Sequence, residues 1–337
     1  MASISVRDVA AQAGVSVGTV SNVLNRPEKV SAATAERVQR VIAELGFVRN
    51  DAARQLRSGN SRAIGLIVLD ISNPFFSDLA RGAQHAADEN GSVILLGNSD
   101  QEPAREGFYL DLFEEQRVGG VLISPVGDVE ARLTRLRQRG IGAVLVDHRI
   151  PGSGFSSVSV DDVAGGELAV AHLISLGRRR IAFVGGPFAL HQVADRLVGA
   201  QRAVGASKSE ATLEVIGVDS LTILEGRAAG DQLVAREVRD RPDAIFAAND
   251  LVALGLVQSF VMGNGLRVPE EIAIVGYDDI GFASSAVVPI TSIRQPSEAI
   301  GRTAIEMLSD EMTGRQAVGR DVVFQPELVI RASAPAA

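Results

Sequence analysis

Two sets of residues in this chain have the types and positions that recognition chemistry needs. The first sits in one stretch, residues 15–25, where Val20, Val23 and Leu24 fall on one side of a helix. Gly18, Ser21, Asn22 and Asn25 fall on the other. A helix this short, apolar on one face and small and polar on the opposite one, is built to lie in a groove, which points to DNA. There Asn22 can pair bidentately with adenine, a contact worth roughly 1–3 kcal/mol of discrimination. Val17 offers apolar contact to a thymine methyl, and Gly18 permits the close approach that offsets its cost of about 1 kcal/mol in a helix. Ser16, Thr19, Ser21 and Asn25 read as capping or phosphate-contact residues, which set register without specifying sequence. Ser16 also reads as a cap alone, and Val17 as partly core. The second set is Asp147, Asn249 and Asp278, each at or just after the end of an apolar run. Taken alone, a terminal Asp is more often a cap or a surface residue.

The elements that must position these residues follow from periodicity and punctuation. Ser5 with Asp8 forms a capping box, and Val6, Val9, Ala10 and Ala13 have helical spacing, so a first helix is expected over about 6–13. Gly14 stops it and Ser16 caps the second. Pro27 marks a loop, and Ser31 caps a third helix whose apolar stripe ends at Gly46. Three short helices with a tight first turn make a helix-turn-helix unit over 1–48. Residues 49–61 form a connector whose helical part is about two turns long, marginal in water without support. From Arg62 the rhythm changes. Apolar runs at 64–69, 93–96, 120–123, 143–146, 158–160, 181–184, 213–218, 244–247 and 272–275 suit buried parallel strands. Amphipathic segments such as 76–90, 163–176, 222–237 and 251–262 fill most of the gaps. This alternation implies α/β architecture, and that many strands suit two sheets better than one.

Composition narrows the function classes. The net charge is −8, yet residues 1–60 hold eight basic against five acidic residues, so the head is +3 and the body −11. A basic head on an acidic body suggests that only the head meets a polyanion. The chain has no cysteine, so disulfides and thiolate metal sites are out, and His85, His148, His172 and His191 show no metal-ligand spacing. No metal and no cofactor are expected. No apolar run reaches 18 residues and the N-terminus lacks a leader pattern, which leads to the expectation of a cytoplasmic protein without a membrane partner. There is no Gly-x-Gly-x-x-Gly and no phosphate loop, which counts against an enzyme. A solute-binding transport component is the other alternative, disfavoured by the head.

The chain resembles the lactose/galactose repressor family of bacterial transcription regulators over nearly its whole length. Ile4-Ser5-Val6-Arg7-Asp8-Val9-Ala10, Ala13-Gly14-Val15-Ser16 and Thr19-Val20-Ser21 are similar to that family's DNA-binding signature, as are Val30-Ser31, Leu45-Gly46-Phe47 and Asn50. Asn73-Pro74-Phe75-Phe76, Asp147-His148-Arg149, Asp161-Asp162, Gly185-Gly186-Pro187, Arg196-Leu197-Val198-Gly199, Asn249-Asp250 and Gly276-Tyr277-Asp278-Asp279 are similar to its effector-domain landmarks. The resemblance implies an all-α helix-turn-helix head and an α/β two-lobed body with parallel sheets, like periplasmic binding proteins. Lobe one would take about 62–161 plus 292–320, and lobe two about 162–291 plus 321–331. It also implies a repressor that binds a near-palindromic operator as a homodimer, through the major groove and the central minor groove. In the minor groove Leu56 would wedge into the central base step, with Ala53 against the partner helix and Arg54 or Arg57 against phosphates.

In a fold of this kind a sugar effector, a monosaccharide or pentose derivative rather than a nucleobase, would sit where strand ends face each other across a cleft. Asp147, Asp278 and Asn249 would accept from hydroxyl pairs, Arg149 and Arg196 would donate, and Phe75 or Phe76 would supply the flat apolar face. Phe76 also reads as ordinary core, and Asp250 as an N-cap. His191 and Gln192 would help select the ligand. Leu221 stands near where many relatives of this family place an aromatic wall.

Overall fold

The computed structural model describes residues 4–47, 61–315 and 319–336. Contacts divide the chain into two compact units, Met1–Asn60 and Ser61–Ala337.

The first unit is built by local signals. Its helices are α1 (Val6–Ala13), α2 (Val17–Asn25) and α3 (Ala32–Leu45). The Ser5 N–H and hydroxyl both donate to Asp8 Oδ2, at 2.8 and 2.7 Å, which closes the start of α1. Gly14 ends it in the left-handed region, φ 63°, where a residue with a Cβ would be strained. Two residues later Ser16 Oγ accepts from the Thr19 N–H at 3.0 Å and begins α2. The apolar stripes of the three helices meet in one small core formed by Val9, Ala10, Ala13, Val20, Val23, Val38 and Val41.

In the second unit the order is β1 (Ala63–Val68), α4 (Pro74–Glu89), β2 (Val93–Asn98), α5 (Pro103–Glu115), β3 (Gly120–Ile123), α6 (Glu130–Gln138), β4 (Gly142–Val146) and β5 (Ser156–Val160). The chain continues with α7 (Asp162–Ser175), β6 (Arg180–Gly185), α8 (His191–Ala206), β7 (Thr212–Gly217), α9 (Ile223–Val234), β8 (Ala244–Ala247) and α10 (Asp250–Val257). Then come β9 (Ala273–Asp278), α11 (Gly281–Ser285), β10 (Thr291–Arg294), α12 (Ser297–Met312), β11 (Asp321–Phe324) and β12 (Glu327–Val329). Two six-stranded sheets result, in the orders β11-β5-β4-β3-β1-β2 and β12-β10-β9-β8-β6-β7. The second repeats the first, strand for strand, so β4 in one lobe corresponds to β9 in the other. All neighbours are parallel except β10 and β12. The central strands are apolar on both faces because helices cover both sides.

Two lobe boundaries differ from the sequence expectation. Ser292 to Arg294, expected in lobe one, belong to β10 in the second sheet. Residues 321–324, expected in lobe two, form β11 in the first sheet, where Asp321 lies opposite Ser157 and Phe324 opposite Val160. The reason is the proline at each crossing. Gln295-Pro296 and Gln325-Pro326 end β10 and β11, since proline offers no N–H to continue a ladder. The last three strands were not among the apolar runs because they are short and partly polar. In β10, Thr291 and Ser292 are buried, and their hydroxyls are satisfied by the Arg331 and Ala334 carbonyls and by Asp250.

Candidate functional site

On the head, Val17, Gly18 and Asn22 form an exposed surface of α2. A Cβ placed on Gly18 would meet only Ser16 Oγ at 3.6 Å, so this surface can come close to a flat partner. The hydroxyls of Ser16 and Thr19 hydrogen-bond to each other at 2.9 Å, which makes Ser16 a cap first. The Asn25 amide donates to the Ser21 carbonyl at 2.8 Å and to its hydroxyl at 3.3 Å, tying both side chains back onto α2. The apolar Val17 is 42% exposed, so the partly-core reading explains little of it. Ala53, Arg54, Leu56 and Arg57 lie outside the described residues.

In the body, the two sheets aim their strand ends at each other. Asp147 follows β4 directly and Asp278 ends β9, at corresponding points of the two lobes, with φ of 57° and 95°. Asp tolerates the left-handed region better than most residues, and the turn there lifts both carboxylates out of their sheets. Between them lies a small cavity of about 40 Å³. Phe75, Phe76, Asp147, Gln192, Arg196, Leu221, Asn249 and Asp278 all line it.

Arg196 organises this cavity. Its Nε contacts Asp162 Oδ1 at 2.8 Å, its Nη1 donates to the Ala248 carbonyl at 2.8 Å, and its Nη2 lies 3.8 Å from Asp278 Oδ1. The guanidinium carbon sits 3.7 Å above the Tyr277 ring centroid. Burial works against the Arg196 charge, but the carboxylates of Asp162 and Asp278 outweigh it and its pKa rises. Burial also raises the pKa of Asp162 and Asp278.

Asn73 and Gln295 complete the shell around Asp278, donating to Oδ2 at 3.0 Å and to Oδ1 at 2.8 Å. Gln192 donates across the cleft to the Asp147 carbonyl at 2.7 Å and to its Oδ2 at 3.0 Å. Burial, then the charge of Asp162, pushes the Asp147 carboxyl well above the usual carboxylate range.

Three expected roles change. Arg149 does not face the cavity. It is 52% exposed and paired with Asp321 at 2.7 Å, because β11 joins the first sheet and brings that carboxylate beside it. His191 is also absent from the cavity wall, and its ring stacks on His148 at 4.5 Å and 22° across the cleft. Burial and His191 lower the His148 pKa to about 4, so the His148 ring is neutral at ordinary pH. Asp250 is not the cap of α10. Asn249 is, accepting from the Val252 N–H at 2.9 Å, while Asp250 accepts from Ser292 Oγ at 2.7 Å and from the Ile280 N–H at 2.9 Å. Burial raises the Asp250 carboxyl too. Asn249 thus lines the cavity with its oxygen already used, and its amide reaches the Leu221 carbonyl at 3.3 Å.

Sequence reasoning assigned no role to Asn73, Asp162, Leu190 or Val193, which line the cavity or hold Arg196. For Asn73 the signal was present: it caps α4 just before Pro74, leaving its amide to point elsewhere. Among the described residues, no group of three or more acidic, histidine or cysteine side chains is arranged to hold a metal. None of their helices is long and apolar enough to cross a membrane.

Comparison with known proteins accounts for this combination. Residues 5–50 match the lacI family of bacterial regulatory proteins, and residues 170–334 match a periplasmic binding protein-like domain. The chain is 36% identical over 337 residues to the transcriptional regulator CelR of Thermobifida fusca, with 96% of each chain covered. It is 32% identical over 334 residues to the transcriptional repressor PurR of Vibrio parahaemolyticus, with 97% of each covered. Among solved structures, it resembles the lac repressor dimer bound to operator and the anti-inducer ONPF, at TM-score 0.84 and 27% identity, covering 99% of this chain and 100% of that one. It also resembles the complex of CelR with cellobiose, at TM-score 0.70 and 32% identity, covering 98% and 99%. Exposed α2 face, paired strand-end carboxylates and full-length similarity agree: the chain belongs to the lacI family of bacterial regulatory proteins.

Proposed function

We propose that this protein is a sequence-specific repressor that binds a near-palindromic operator as a homodimer and is controlled by a small sugar effector. The carrying observation is that one chain holds both an exposed recognition face on α2 and a two-lobed cavity with convergent polar groups. The lac repressor dimer on operator and CelR with cellobiose supply the precedent for each half. A transport role is disfavoured because the family match includes the head. Its relatives are named as regulators rather than enzymes, and operator binding would place it in the cytoplasm.

For dimerisation, β2 is the edge of its sheet and leaves Val93, Leu95 and Leu96 exposed, a surface suited to a second copy. By family resemblance, the 49–61 linker would fold on DNA, with Leu56 as the wedge, Ala53 against its partner, and Arg54 and Arg57 on phosphates. Effector binding sets the angle between the lobes, and so biases whether two heads can hold DNA together. Coupling of that kind is typically about 1–3 kcal/mol and reciprocal between ligand and operator.

The test is a thermal-shift screen of a sugar library, followed by operator binding with and without each hit. An effector should change operator affinity by roughly 5- to 150-fold in one direction. A sugar that binds the cavity and leaves operator affinity unchanged would refute the control proposed here. On the head, Asn22→Ala should relax one base position in each half-site, at a cost of about 1–3 kcal/mol. Binding selection reads this directly, and an unaltered preferred sequence removes Asn22 from the reading set.

A further inference from the structure

The charges around the cavity are unbalanced. Asp147 and Asp278 line it and Asp162 stands directly behind Arg196, which is the one cationic side chain among the described lining residues. Three buried carboxylates therefore share one guanidinium. Three other arginines of the body are engaged elsewhere. Arg149 is paired with Asp321, and Arg294 and Arg331 both hold Asp279. Helix starts at the cavity offset only part of this, each being worth about half a positive charge. The Asn73 and Asn249 side chains already accept from the N–H groups of α4 and α10, which leaves α8, with Leu190, Gln192 and Val193 on the cavity wall, as the start without a side-chain cap.

Among the described residues that line the cavity, one buried side-chain oxygen lacks a hydrogen-bond partner: Oδ1 of Asp147, a residue 4% exposed. The Gln192 amide holds the other oxygen and the backbone carbonyl of the same residue, so the carboxylate is fixed with Oδ1 free. A buried acceptor without a donor is costly, and a hydroxyl supplied by a ligand relieves it.

We propose that the cavity selects by charge: it takes an uncharged polyhydroxyl ligand through Asp147 Oδ1 and rejects the phosphorylated or carboxylated form of the same compound. Gln192 is the positioning residue for that acceptor. The inference rests on the effector reading above and goes further, since a family of sugar-responsive regulators leaves phosphorylation state open. At an effective dielectric of about 20, two like charges about 5 Å apart repel by enough to weaken binding more than a hundredfold.

The experiment is calorimetry on the full chain at fixed ionic strength, with matched probes: ribose and ribose 5-phosphate; glucose, glucose 6-phosphate and glucuronate; cellobiose. The expected result is that every compound that binds is neutral, and that its anionic counterpart binds about a hundredfold more weakly or not at all. Asp147→Asn should weaken the neutral ligand about tenfold, as loss of a charged acceptor does, and should narrow its advantage over the anionic form. An anionic sugar that binds as well as its neutral counterpart overturns the charge selection and leaves the effector reading standing. A library in which nothing binds counts against both. An Asp147→Asn protein with the neutral-to-anionic ratio unchanged removes Asp147 from the selection.

Discussion

Replacing Arg196 with alanine should destabilise the body by about 3–5 kcal/mol, lowering its melting temperature by about 10 °C, and should abolish the effector response. Arg196 is 4% exposed and meets Asp162, the Ala248 carbonyl, Asp278 and the face of Tyr277 at once. Removing it leaves two buried carboxylates without their counter-charge and a carbonyl without its donor. The penalty comes from those abandoned partners more than from the lost attractions, because a buried ion pair is a modest net stabiliser while intact. Arg196→Lys separates charge from geometry. A lysine keeps the charge but cannot direct three N–H bonds into a planar fork, so it should recover only part of the loss. Thermal unfolding followed by circular dichroism measures both variants. A loss below about 1 kcal/mol for alanine, the scale of an exposed pair, would show that the cluster is not the electrostatic centre of the fold.

Gly166→Ala should cost the body about 2–3 kcal/mol, although alanine normally gains about 1 kcal/mol over glycine within a helix. A Cβ at Gly166 in α7 would lie 2.1 Å from the Arg196 carbonyl oxygen in α8. The approach is reciprocal: a Cβ at Gly199 would lie 2.0 Å from the Val163 carbonyl oxygen. Both obstacles are main chain, so no rotamer change relieves them and the two helices must part. Since α8 carries Gln192 and Arg196, the same displacement should weaken effector binding. Gly205→Ala serves as the internal control, because a Cβ there meets nothing within 4 Å. Chemical denaturation should show opposite signs for the two variants. Equal and small effects would mean that the helix contact yields easily.

These effects mark the boundary between what was legible in the chain and what was not. The head was legible because most of its helix ends are set by residues adjacent in sequence: Ser5 with Asp8 and Gly14 for α1, Ser16 with Thr19 at the start of α2, and Gly46 at the end of α3. Asp147 and Asp278 were legible as strand-end residues of the cleft for a similar reason, since a buried parallel strand announces its own end by a change from apolar to polar. Arg149, His191 and Asp250 were misplaced because a neighbour decides where a side chain points. For Arg149 that neighbour is Asp321, more than a hundred residues away in a strand too short and polar to be read from its pattern.

The sequence by itself determined the three helices of the head, the first nine strands of the body, which residues stand at the strand ends of the cleft, and which face of α2 is polar. Those properties depend on hydropathy period and on capping within a few residues. Only the tertiary structure decided that Arg196 joins Asp162 to Asp278, that Gln192 fixes Asp147 across the cleft, and that the last two strands divide between the lobes. The physical reason is that buried charge must find partners wherever the fold brings them, and sequence distance imposes no limit on that search.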